Sequence, residues 1–223
     1  IEDYFEGNSI DKSKYKRDLS VDRKLIGLEQ MLWIKNNLNK KYKWSIIGQQ
    51  VLMTQVFLPT IFANMNKKIL PDYLHKYLKI GGTNVPYNTD AWDGYPKERE
   101  RLFKELKKAN SVLVLTGDTH NSWLNNLYDE NNNFIGVEIG TPAISSPNTI
   151  DTFGSLTDAI EEGFIKENKN VKWTEGKHKG YTLLKLTKDK SEVSFVYVNT
   201  VKSKVYDVIN VNKFNVQLNT PII

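Results

Sequence analysis

Three patterns of apolar and polar positions run along this chain, and each predicts a different kind of element. Residues 44–51 (WSIIGQQV) and 112–115 (VLVL) are short, largely β-branched apolar runs, which predict strands buried on both faces. Leu25, Leu28, Leu32, Trp33, Ile34 and Leu38 recur near the i, i+3, i+4, i+7 spacing, which predicts a helix with one buried stripe, Asp22 as its N-cap and Asn39 as its exit. Leu102, Phe103 and Leu106 predict a second helix over 97–109, and Leu156, Ile160 and Phe164 a third within 151–170. Strict alternation over 181–186 and 193–198, around Lys188-Asp189-Lys190, predicts an antiparallel hairpin. Residues 124–128 and 134–139 predict another pair of strands around the turn-rich 129–133.

Between these elements the pattern loosens. Residues 1–22 are polar and read as an extended opening loop, with Lys12, Lys14, Lys16 and Arg17 clustered. Pro and Gly interrupt 52–89 too often for one long helix, so one or two short helices in a surface insertion are expected. Residues 201–223 are expected to close a sheet edge or lie across the surface. The helix over 97–109 links the strand at 44–51 to that at 112–115, a crossover that predicts parallel neighbours. The expected organisation is a loop at 1–22, one α/β unit at 23–200 and an edge segment at 201–223.

At 223 residues the chain is long enough for one substantial core. No apolar run approaches the ~20 residues that a membrane-spanning helix needs. The chain opens Ile1-Glu2-Asp3-Tyr4 without Met or a signal-peptide pattern, and reads as processed or trimmed. It contains no Cys, which removes disulfides, thiolate metal sites and cysteine nucleophiles. The net charge of +5 favours anionic ligands through long-range steering. The lysines are scattered rather than striped and no recognition helix, zinc finger or RNA-binding motif is present, so nucleic-acid binding has no support.

The densest chemistry is at 111–123, SVLVLTGDTHNSW. Gly117 permits a sharp turn off the strand end, and Asp118 and His120 follow two residues apart. Open α/β sheets place ligand sites at the carboxyl ends of their strands. A carboxylate and an imidazole there suit a divalent or trivalent metal; the same pair also serves as an ordinary capped turn. Gln49 and Gln50, at the end of the 44–51 run, either line the same crevice or bond the next loop. Arg99 either clamps a phosphate or pairs with Asp93 to fix a turn, while Trp92 and Tyr95 are candidates for a pocket mouth. Glu138, inside an apolar strand, is either paired, coordinating or orienting a histidine if buried, or faces outward. Gln30 and Trp33 read as structural, and His75 and His178 as surface histidines.

Five stretches in order resemble one family: Gly27-Leu28-Glu29-Gln30 with Trp33-Ile34, Gln50-Val51, Trp92-Asp93-Gly94-Tyr95-Pro96 with Arg99, Leu115-Thr116-Gly117-Asp118-Thr119-His120, and Val137-Glu138 with Thr141-Pro142 and Ser145-Ser146-Pro147. Together they are similar to PhoD-like alkaline phosphatases of the calcineurin-like metallophosphoesterase superfamily. The resemblance covers most of 23–198. It implies a mixed β-sheet sandwich flanked by helices, of which this chain is the C-terminal portion. It also implies hydrolysis of phosphate esters by a metal-activated hydroxide or oxo nucleophile, with calcium and iron as the metals and export from the cytoplasm. Asp118 and His120 are then metal or phosphate contacts, Asn121 a further catalytic contact, and Arg99, Trp92 and Tyr95 substrate contacts. The family's Gly-Asp-x-x-Asp and Asn-His-Glu segments are not found here, so an N-terminal half is the expected partner. A truncated or inactive scaffold acting as a binding module is the other expectation.

Overall fold

The computed structural model describes residues 2–7, 9–38 and 41–223. The opening stretch is more ordered than its polarity suggests. Strands β1 (Phe5–Glu6) and β2 (Ser9–Ile10) pair antiparallel and lead into α1 (Lys12–Leu19), whose N-terminal amides at Ser13 and Lys14 are capped by the Asp11 carboxylate. Tyr15 anchors α1, fully buried with its hydroxyl donating to the Pro86 carbonyl.

Helix α2 (Gly27–Asn37) forms where its spacing predicts, but the expected stripe is not buried. Leu28 is 72% exposed and Trp33 66% exposed, while Leu25, Ile26, Met31, Ile34 and Leu38 pack partly against a core. Nor is Asp22 the cap. The amides of Leu25 and Ile26 are satisfied by the buried Glu98 carboxylate, and Asp22 pairs with Lys24 and Arg101. The exit expected at Asn39 lies outside the described residues.

Next come β3 (Ser45–Gly48), α3 (His75–Leu78) and α4 (Pro96–Leu106), with short 3-10 turns in the 60–74 region. Strands β4 (Val112–Thr116), β5 (Ser122–Tyr128) and β6 (Phe134–Gly140) follow. Beyond them are α5 (Thr149–Phe153), α6 (Thr157–Glu167), β7 (Val171–Glu175), β8 (Lys179–Leu186), β9 (Lys190–Val198) and β10 (Val208–Gln217). One five-stranded sheet runs β3-β4-β6-β5-β7 and one three-stranded sheet runs β10-β9-β8. β3, β4 and β6 are parallel; β5 and β7 complete the first sheet antiparallel, and the second sheet is wholly antiparallel. The alternation of side chains explains the layers. Leu113, Leu124, Val137 and Ile139 point toward Val193, Phe195 and Tyr197 of the second sheet. Val112 and Val114 point the other way, onto Leu102, Phe103 and Leu106 of α4. Gly136 lets β6 approach β4 closely: a Cβ there would lie 2.4 Å from the Val112 carbonyl oxygen. The mixed sandwich flanked by helices is therefore present. The 44–51 run differs from expectation, because only four of its residues form a strand, and that strand is an edge with Ile46 43% exposed.

The loop after β3 carries amides with no partner in either sheet, and buried carboxylates supply one. Glu138, fully buried on β6, accepts from Met53 N (2.5 Å), Thr54 N (3.1 Å) and Asn125 Nδ2 (3.0 Å). Asp93 accepts from Val56 N (3.1 Å) and Arg99 Nη1 (2.7 Å), and Arg99 also donates to the Met53 carbonyl (3.2 Å). Burial pushes the Glu138 carboxyl up to about 7 against the pull of its hydrogen bonds, and burial likewise raises Asp93 despite Arg99.

Two predictions follow from this clamp. An acid whose folded pKa lies above its unfolded value of 4.5 stays protonated in the fold where the free chain is already ionised. Its stability is complete below pH 4.5 and is lost as pH rises through about 7, by on the order of 3 kcal/mol. Urea unfolding at pH 5 and pH 8 should show this fall, and Glu138→Gln should remove half of it or more; an unchanged slope would contradict the assignment. Arg99→Ala strands a buried carboxylate and should destabilise by about 3–5 kcal/mol, whereas the apolar pair Asp93→Leu with Arg99→Met should cost clearly less. Equal losses in the two would contradict it.

Candidate active site

The C-terminal end of β4 leads into a turn that two non-glycine residues complete in the left-handed region. Asp118 has φ 69° and His120 φ 64°. Each such residue stores roughly 1 kcal/mol of strain, and strain of this kind collects at functional sites. Neighbouring backbone groups fix the turn. Gly117 N donates to the Gln50 carbonyl (2.9 Å), Thr119 N to the Gly117 carbonyl (2.8 Å), and Thr141 N to the Thr116 carbonyl (2.9 Å). Ala143 N donates to the His120 carbonyl (3.2 Å), and the Trp123 indole donates to Thr119 Oγ1 (2.8 Å). The turn is thus sewn to the ends of β3 and β6, which run parallel to β4.

Two side chains are left with donor atoms to spare. The Asp118 carboxylate is exposed and, among the described residues, accepts no hydrogen bond and joins no ion pair. His120 is half-buried, and its Nδ1 lies 2.7 Å from the Pro147 carbonyl. A carbonyl only accepts, so Nδ1 carries a proton, and the tautomer this selects has its lone pair at Nε2. That tautomer, fixed by a carbonyl behind the ring, is the usual arrangement of a metal-binding histidine. An unpartnered carboxylate and an imidazole nitrogen fit a metal ion. They are two ligands only, since no group of three His, Asp or Glu side chains gathers among the described residues.

The other predicted contacts are arranged differently. Asn121 is buried, donating from Nδ2 to Thr149 Oγ1 (2.7 Å) and accepting from Thr149 N (3.3 Å), so its amide is used to tie the turn to α5. Arg99 is no free phosphate clamp: it is buried and bonded to Asp93 and Met53, because an unpaired Asp93 in that core would be too costly. Trp92 is not at a pocket mouth either. It lies in the core beside Leu102 and Phe103, its indole donating to Gln49 Oε1 (3.0 Å). Tyr95 remains half-buried, with the Arg23 guanidinium 5.5 Å over its ring. Gln49 bonds Val51 as well as Trp92, while Gln50 contributes its carbonyl to the turn. Glu138 orients no histidine; its partners are the loop amides and Asn125.

Some contributors carry no sequence signal of their own. The Pro147 and Gln50 carbonyls act through the backbone. Tyr87 lies close enough to Asp118 to feel its charge; burial first, then Asp93, Tyr77 and Asp118, push its phenol up and keep it neutral. His178 pairs through Nδ1 with Glu175 Oε1 (2.7 Å) and lines a cleft of about 520 Å³ shared with Pro147, Lys177 and Lys179. A Glu three residues before a His was the available clue. His75 bonds the Lys67 and Leu70 carbonyls, as a structural histidine does. No helix among the described residues is long and apolar enough to cross a membrane.

Known proteins resemble this chain. The family model described as PhoD-like phosphatase matches residues 4–195. Alkaline phosphatase D of Bacillus subtilis (strain 168) is 33% identical over 189 residues, which are 81% of this chain and 28% of that protein. A solved structure titled "Structure of PhoD" superposes with a TM-score of 0.64 at 25% identity, over 90% of this chain and 34% of that one. The chain therefore spans about a third or less of the length of these relatives. With the family model matched over most of its length and the strand-end turn at its centre, this chain belongs to the PhoD-like phosphatase family.

Proposed function

We propose that this chain supplies the last metal-holding segment of a metal-dependent phosphoesterase that hydrolyses small-molecule phosphate esters. The reading rests on one observation: beside the strained turn, an unpartnered Asp118 carboxylate is joined by a His120 whose Nδ1 is committed to the Pro147 carbonyl. In this reading Asp118 and His120 Nε2 hold metal ions, calcium and iron being those the family likeness suggests. Bound there, metal ions would supply an acidified water as nucleophile and positive charge against the phosphoryl oxygens.

The chain's own residues do the positioning. The Pro147 carbonyl fixes the His120 tautomer and leaves Nε2 as the ligand atom. Gln50 and Thr141 hold the turn through their backbone groups, and Asn121 ties it to α5. Arg99 acts from behind, holding the loop that leads away from Gln50, and Tyr95 remains the candidate for a substrate contact. The rest of the ligand set comes, in this proposal, from the complementary N-terminal part of the family's fold, and the whole enzyme works outside the cytoplasm. A phosphatase-like scaffold that binds without turnover is the second reading. It is favoured by the absence, among the described residues, of a third His, Asp or Glu beside Asp118 and His120.

The test joins this chain to the portion of Bacillus subtilis alkaline phosphatase D outside the matched residues and follows p-nitrophenyl phosphate, bis(p-nitrophenyl) phosphate and metal content. Turnover is expected in the combination. Asp118→Asn and His120→Asn should each lower it by roughly 100-fold or more, with metal lost, while Asn tolerates the left-handed backbone and the fold is kept. Unchanged turnover and metal in both variants would contradict the assignment, and metal without turnover in the parent would favour the scaffold. Asp118→Gly relieves the positive φ and should stabilise the chain alone by about 1 kcal/mol in urea unfolding. A loss of stability would show that the turn stores no strain.

A further inference from the structure

A second cleft lies away from the strand-end turn. In the antiparallel pair β5 and β6, Trp123 stands opposite Gly140 at the end nearest the turn, and Tyr128 opposite Phe134 at the other. At about 3.3 Å per residue these two ends are roughly 20 Å apart. Around the far end, a cleft of about 340 Å³ opens between α4, the end of β5 and the segments holding Met53 and Asn170. Its size suits a small molecule, for which pockets hold roughly 300–1,000 Å³. Arg99, Glu100 and Phe103 reach it from neighbouring positions of one helical face, and Leu127 adds apolar surface. Hydrogen bonds join other lining residues across it: Glu130 N donates to Glu100 Oε2 (3.2 Å), and Lys169 Nζ to Asn132 Oδ1 (2.7 Å).

The polar groups here are not all spent on the fold. Arg99 is 7% exposed, and both its bonds, to Asp93 and to the Met53 carbonyl, run through Nη1. Its Nε and Nη2 donors have no partner among the described residues, and an unmet donor on a buried charged group is costly. Asn170 lines the same cleft with a buried Oδ1 that has no partner, and turning its carboxamide brings either end toward the cleft. Glu100 is the third such group. Burial holds its carboxyl above the usual value, against the Glu130 amide and Arg99, and the Glu130 and Asp129 carboxylates add to the rise. Asp129 has Lys107 as its counter-ion, but Glu100 joins no ion pair among the described residues. A simple anion drawn to Arg99 would meet Glu100 and Glu130, and a simple cation drawn to those carboxylates would meet Arg99 and Lys169. A molecule carrying both charges a few ångströms apart answers each end.

We propose that this cleft binds a free α-amino acid with an apolar side chain, its carboxylate on Arg99 Nε and Nη2, its ammonium on Glu100 and its side chain against Phe103 and Leu127. The carboxylate takes the two parallel N–H bonds that a guanidinium edge offers, while Nη1 stays with Asp93. The ammonium supplies the counter-charge that Glu100 lacks, and the Asn170 carboxamide gives a further hydrogen bond. Phe103 and Leu127 are nearly fully buried in the core and extend that core to the cleft wall, so an apolar side chain continues it. The proposal rests on these groups alone and does not depend on the chemistry of the turn.

Titration calorimetry and amide NMR test the proposal on the full 223-residue chain at pH 7 with no metal added, using L-leucine and L-phenylalanine. Saturable one-to-one binding is expected for at least one of them, with a Kd of about 1 mM or below. Amide shifts should move at Arg99, Glu100, Leu127 and Asn170 and stay fixed at Asp118 and His120. N-acetyl-L-leucine lacks the ammonium, L-leucinamide lacks the carboxylate, and acetate lacks all but the anion; each should bind at least tenfold more weakly than L-leucine. Glu100→Gln keeps an acceptor for the Glu130 amide but removes the charge, and should weaken binding at least tenfold with the urea midpoint close to that of the parent. Arg99→Lys keeps a cation beside Asp93 and removes the paired donors, with the same loss expected. Because Arg99 also supports the fold, Glu100→Gln decides the matter if Arg99→Lys does not fold. The proposal is overturned if neither amino acid binds saturably, if a blocked derivative or acetate binds as tightly, if the shifts lie away from the cleft, or if Glu100→Gln binds like the parent.

Discussion

Two buried carboxylates set the terms for the rest of the molecule. After β3 the chain leaves the sheet and must cross its end, and the amides of Met53, Thr54 and Val56 are carried into the core with no strand to bond. Glu138 and Asp93 accept from all three, and Arg99 returns the charge to Asp93 and takes the Met53 carbonyl. A buried unsatisfied amide costs about 1–3 kcal/mol, so this polar network is what allows an irregular segment to be buried at all. Its consequence is local order: Gln50, at the start of the same segment, presents its carbonyl to Gly117 at a fixed place. The turn that carries Asp118 and His120 inherits its geometry from that loop as much as from β4.

This division of labour explains why the polar residues of the family-like motifs proved to be of two kinds. Asp93, Glu138, Gln49 and Asn121 bond other protein groups, and Arg99 does so through Nη1 while also lining a cleft of about 340 Å³ with Met53 and Asp129. Asp118 and His120 are held in strained backbone and keep donor atoms in reserve. Backbone strain is unfavourable for folding, and its coincidence with uncommitted ligand atoms on two residues of one turn is what the proposed site rests on.

Most of the sheet framework was legible in the sequence. The β-branched run at 112–115 and the alternation at 181–186 and 193–198 appear as β4, β8 and β9, because side-chain period follows directly from strand geometry. What the sequence hid was depth. The spacing of Leu28 and Trp33 is that of a buried stripe, and it predicts a covered face whether or not the covering part is in the same chain; here that face is exposed. Trp92 read as a pocket residue since its type suits a ligand, but burial beside Leu102 is decided by tertiary contacts far along the chain, such as Trp92 with Gln49 (43 residues); Arg99, bonded to Met53 (46 residues), is largely buried as well and still lines a cleft. The stretch 1–22 is more ordered than its polarity predicts because Tyr15 and Leu19 anchor an otherwise polar helix.

The central claim is that Asp118 and His120 Nε2 hold metal, with the Pro147 carbonyl behind the ring. It is tested most directly by a crystal structure of the chain joined to its complement and loaded with metal, phased at the metal's absorption edge. The account predicts anomalous density within bonding distance of the Asp118 carboxylate and of His120 Nε2, with the Nδ1 to Pro147 bond intact. Metal bound elsewhere, or through Nδ1 with the Pro147 bond broken, would contradict it.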